Sequence, residues 1–85
     1  MMAAITAAKA GSEVILLEKN EKIGKKLFIT GKGRCNVTNA CDTEDLFANV
    51  MEHSKFLYSA IYGYDNQAVM RFFEEAGCPL KIERG

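Results

Sequence analysis

Residues 13–18 read Glu13-Val14-Ile15-Leu16-Leu17-Glu18, four consecutive apolar side chains between two carboxylates. A short apolar run without alternation suits a strand covered on both faces, as in a parallel sheet with helices above and below. Just before it, residues 1–10 (MMAAITAAKA) are dense in strong helix formers, and Gly11 stands where a left-handed residue ends a helix. Helix, glycine turn and buried strand, in that order, form the second half of a βαβ unit. The alanine-rich surface permits close approach to a sheet, and a lone helix this short is marginal in water. No Ser, Thr, Asp or Asn caps it, so the expectation is that a first strand lies upstream.

Downstream of Glu18 the character changes. Residues 19–34 hold Lys19, Lys22, Lys25, Lys26, Lys32 and Arg34 against one acid, Glu21, together with Gly24, Gly31 and Gly33. Within this basic stretch Leu27 to Thr30 (LFIT) suggests a brief strand or an apolar anchor for the loop. The remainder reads as helical. Asp42 or Thr43 caps a helix to about Met51, with Leu46, Phe47, Val50 and Met51 on one face. Ser54 caps a second, with Phe56, Leu57, Ala60 and Ile61 apolar, and Asp65 opens a third that Gly77 and Pro79 stop. Leu80 to Glu83 alternates as the start of a strand. The expected class is therefore α/β, a partial Rossmann-type domain over residues 1–85. Residues 1–41 supply helix, strand and loop, and residues 42–85 supply a helical segment and a strand start.

Composition limits function. With 48% hydrophobic residues and eleven acidic against eleven basic side chains, the chain is too apolar and too evenly charged for a disordered one. At this length a domain hides only roughly 60% of its unfolded surface, so its own core is marginal. Zero net charge offers no long-range attraction to nucleic acid or an anionic membrane, and any anion site is local. No apolar run approaches the ~20 residues of a membrane span. Cys35, Cys41 and Cys78 form an odd set without a signal peptide, which favours reduced thiols and a cytoplasmic protein. With His53 they lack the paired spacing of zinc sites, so no metal is expected.

Two motifs carry chemistry. In dinucleotide folds an acidic residue ending the second strand accepts hydrogen bonds from ribose hydroxyls, and Glu18 occupies that place; an ordinary charge where a strand meets water is the competing reading. No G-x-G-x-x-G occurs in the chain to bind a pyrophosphate. Gly31-Lys32-Gly33-Arg34 has amides and cations suited to close approach to a phosphate or a flavin edge, or is a solvated turn. It fails the Walker A pattern, because Lys26 stands where the first glycine belongs and Gly33 where Ser or Thr belongs. What strengthens it is the continuation Gly33-Arg34-Cys35-Asn36-Val37-Thr38-Asn39, unusually dense in hydrogen-bonding side chains for a connector.

The run EVILLEKNEKIGKKLFITGKGRCNVTN resembles the N-terminal region of the bacterial NAD(P)/FAD-dependent oxidoreductases of the aminoacetone oxidase-like, BaiN-type flavoprotein family. The family's M-A-A-x-x-A-A-x-x-G matches Met2 to Gly11, and its G-R-C-N-x-T-N signature matches residues 33–39 in full. With less specificity the resemblance continues to Gly85. It implies a three-layer Rossmann-type FAD-binding domain whose first strand and phosphate loop precede Met1, so that the chain alone is expected to hold FAD weakly. It places Glu18 on the FAD ribose and Lys26 near the adenine or pyrophosphate. Gly31, Gly33, Arg34, Asn36 and Thr38 fall in the loop beside the flavin. It implies NAD(P)H as electron donor and a small organic substrate, and names no catalytic acid, base or nucleophile in these residues. The rival reading is a non-enzymatic module that captures an anion or an acidic protein surface with the basic 19–34 loop. A thiol redox pair of Cys35 and Cys41 is a third. Self-association through an unpaired strand edge is a further expectation.

Overall fold

The computed structural model describes residues 1–31 and 34–83 and divides into two compact units, Met1–Cys35 and Asn36–Gly85. In the first, α1 spans Met2–Lys9. Met1 serves as its N-cap without a side-chain hydrogen bond, accepting the Ile5 N–H on its carbonyl at 3.0 Å. The other end is closed by backbone alone. Gly11 takes φ 87°, its N–H donates to Ala8 and the Ser12 N–H donates to Ala7, both at 3.0 Å. These two bonds make the Schellman closure that the sequence expected of Gly11.

No paired strand occurs among the described residues, so the expected α/β layering is not formed by them. Residues 13–18 have no regular structure, and Ile15 and Leu17 are 80% and 89% exposed rather than buried. The reason is physical: a strand is stabilised by a ladder to a neighbour, and four apolar side chains have no local bonding pattern to complete. The same holds for residues 80–83, where Lys81 and Glu83 pair at 2.8 Å but no ladder forms.

Residues 27–30 correct a second expectation. They form neither a strand nor an anchor in a core: Leu27 to Ile29 belong to α2, Lys25–Ile29, and Thr30 follows it in an extended conformation, with Phe28 and Ile29 exposed. Gly24 turns the chain into this helix from the left-handed region at φ 72°, and the Phe28 N–H donates to its carbonyl at 3.0 Å. Two lysines and a leucine, all good helix formers, outweigh the β preference of Ile29 and Thr30 in so short a segment.

The second unit is helical. α3 spans Thr43–Ala48 after Asp42; it stops three residues before Met51 because Asn49 folds back, its Nδ2 donating to the Asp45 carbonyl at 2.7 Å. Met51 is consequently exposed. The next helix begins as a 3₁₀ turn, Ser54–Leu57, capped by His53 at a left-handed φ of 57° rather than by Ser54, and continues as α4, Tyr58–Gly63. Phe47 packs between Tyr58 and Tyr62, with ring centroids 4.7 and 5.2 Å away. α5, Asn66–Glu75, has the cap the sequence expected: the Asp65 carboxylate accepts the Ala68 N–H at 2.7 Å. Gly77 at φ 88° closes its far end, with the Gly77 N–H on Glu74 and the Cys78 N–H on Phe73. Its Val69, Phe72 and Phe73 are half-buried, and no apolar side chain among the described residues is fully buried.

Candidate functional site

Glu18 ends the apolar segment on an exposed turn. Its Oε1 accepts two hydrogen bonds from Asn20, one from the backbone N–H at 2.9 Å and one from Nδ2 at 2.8 Å. These donors hold its carboxyl below the usual glutamate range, the backbone bond of Asn20 first and the Asn20 side chain second. The Lys19 backbone N–H adds a smaller contribution in the same direction, and the carboxylate is thus ionised and oriented. A fixed acceptor of this kind suits the hydroxyls of a vicinal diol.

The basic residues lie on separate short pieces of the same unit. Lys26 is exposed in α2, and no ion pair joins it to Glu18. Gly31 stands at φ 74°, a conformation that strains any residue with a Cβ. The Arg34 N–H donates to the Gly31 carbonyl at 2.9 Å. Gly33, also expected near a flavin, lies outside the described residues, as does Lys32.

Asn36 and Thr38 belong to the second unit and are exposed. Just beyond them the chain is held firmly. The Cys41 N–H donates to Asn39 Oδ1 at 3.0 Å, and Asn66 Nδ2 donates to the carbonyls of Asn39 at 2.7 Å and Cys41 at 2.6 Å. Asn66 is the one buried polar residue among those described, 5% exposed. Its Oδ1 is buried without a partner, a cost of about 1–3 kcal/mol set against two donor bonds. Sequence reasoning missed this residue. Its visible signal was slight: Asp65 already caps α5, which leaves the next side chain, Asn66, free for bonds outside the helix.

The thiols of Cys35, Cys41 and Cys78 are not joined as disulfides. No group of three or more His, Cys, Asp or Glu close enough to hold a metal ion occurs among the described residues. No helix of these residues is long and apolar enough to cross a membrane.

Known proteins share this sequence along its length. The family model described as the HI0933-like protein Rossmann domain matches residues 1–85. A 3-dehydro-bile acid delta(4,6)-reductase from Clostridium scindens is 33% identical over 87 residues, covering all of this chain and 21% of the reductase. The ribosomal RNA dihydrouridine synthase of Haemophilus influenzae is 31% identical over 77 residues, 91% of this chain and 19% of the synthase. Its namesake from Escherichia coli is 41% identical over 39 residues, 46% of this chain and 10% of that protein. The chain thus spans about a fifth or less of the length of these relatives. No solved structure matches it significantly.

Proposed function

The chain belongs to the HI0933-like, BaiN-type family of FAD-dependent oxidoreductases with a Rossmann-like fold, and from that membership we propose that the natural protein carrying it binds FAD and reduces a carbon–carbon double bond conjugated to a carbonyl. The observation that carries the reading is the family match over residues 1–85. The names of the relatives narrow the chemistry: a delta(4,6)-reductase and a dihydrouridine synthase both add two hydrogens across a carbon–carbon double bond. In a 3-oxo steroid and in uracil that bond is polarised by a carbonyl, so a hydride enters at one carbon and a proton at the other. The hydride originates from NAD(P)H.

The types of residue present support FAD as the ligand. Glu18 offers an ionised, oriented carboxylate for the ribose hydroxyls. By the resemblance, Lys26 is the candidate for the adenine or pyrophosphate side, and Gly31, Gly33, Arg34, Asn36 and Thr38 are the candidates for the flavin side. Bound FAD supplies the two-electron transfer itself; these residues bind and orient it.

The test uses the natural full-length protein. It is expected to purify with FAD and to oxidise NADH or NADPH in the presence of a cyclic enone but not its saturated ketone. Glu18→Ala is expected to raise the Kd for FAD about tenfold, the effect of losing a hydrogen bond to a charged acceptor. A wild-type protein that takes up no FAD, or is reduced by nicotinamide yet indifferent to every enone, refutes the reading.

A further inference from the structure

Asn66 does more than fill space. A carboxamide has two donors and an acceptor, and here both donors go to carbonyls two residues apart in sequence, those of Asn39 and Cys41. The amide orientation is fixed by these contacts, because rotating it would set Oδ1 against two carbonyl oxygens. The hook is reinforced from inside by the Cys41 N–H on Asn39 Oδ1. Asn66 is itself the first residue of α5, whose N-terminus is held by Asp65. A ten-residue helix closed at both ends therefore grips the backbone immediately after Thr38, across 25 to 27 residues of sequence.

We infer that Asn66 is a positioning residue for the signature loop: its carboxamide fixes the backbone at residues 39–41 and so sets Asn36 and Thr38 for the flavin. This rests on the FAD reading proposed above. Asn66 touches no cofactor in this scheme; it acts through the loop it holds.

Asn66→Asp is the discriminating change in the natural full-length protein. It is nearly isosteric, so packing is kept, but its two oxygens both accept and face carbonyls without a donor. The expected result is hydrogen exchange at residues 36–41 faster by about tenfold or more, with exchange in α1 unchanged. The Kd for FAD rises by about tenfold, and the visible circular dichroism of the bound flavin shifts. Unchanged exchange at 36–41 overturns the inference. So does faster exchange with FAD affinity and flavin spectrum as in the wild type, since the contact is then structural only. If Asn66→Asp does not fold, Asn66→Ser, whose hydroxyl retains one donor, is judged by the same readouts. A wild-type protein that binds no FAD sinks the flavoprotein reading and the positioning role with it, and is told apart by failing before any variant is made.

Discussion

Residues 65–78 and residues 12–18 are both plainly marked in the sequence, yet only the first forms its element among the described residues. α5 is specified by bonds that close within a few residues: Asp65 to Ala68 at one end, Gly77 to Glu74 and Cys78 to Phe73 at the other. Val14 to Leu17 carry no side-chain group that bonds to a near neighbour, and Leu17 stands 89% exposed. The contrast separates two kinds of sequence information. A cap is an instruction that its own segment can carry out, whereas an apolar strand states a demand that only a neighbour in space can meet.

The largest test of that contrast is Leu17→Ala in the natural full-length protein. If this segment is a buried strand in that protein, as its apolar run predicts, the substitution is expected to lower stability by about 2–5 kcal/mol, as truncation of a buried leucine does. Denaturant unfolding measures it. A loss near zero would mean that residues 13–18 stay as exposed as they are here, and the strand reading of the segment would fall. Gly77→Ala sharpens the other side. A Cβ at Gly77 meets nothing within 4 Å, so its only cost is the left-handed φ of 88°, and the expected loss is about 1–2 kcal/mol. A neutral result would show that the end of α5 is set by packing instead.

What was legible in the sequence follows the same division. Gly11, Asp65 and Gly77 were readable because a left-handed glycine and an Asx cap act through neighbours three to five residues away. The start at Ser54 was misplaced by one residue because His53, not a usual left-handed residue, turns the chain at φ 57°. The LFIT segment was misread because its β-branched end was weighed above the lysines before it. At the site, Glu18 was identifiable from its position after the apolar run, whereas its bonds from Asn20 depend on the local turn of the backbone. Asn66 was barely legible for a deeper reason: its partners lie 25 and 27 residues away, and no spacing rule links a helix start to a loop so distant.

The smallest effect concerns that Glu18 turn, which is local like the caps although it adjoins the segment that is not. Because hydrogen bonds from Asn20 lower the carboxyl pKa, the turn is favoured at every pH above the ordinary glutamate range and loses that contribution as pH falls through the lowered value. At neutral pH the carboxylate is fully charged and the turn complete. Asn20→Ala removes the side-chain donor and keeps the backbone N–H, the larger of the two causes. The expected outcome, followed by NMR of the Glu18 side-chain carbonyl carbon, is a midpoint that rises only part of the way toward that of an ordinary glutamate. A full return would mean that the backbone bond contributes nothing. Glu18 would then be aimed by a single amide, and its readiness to meet a diol would depend on Asn20 rather than on the chain's own turn.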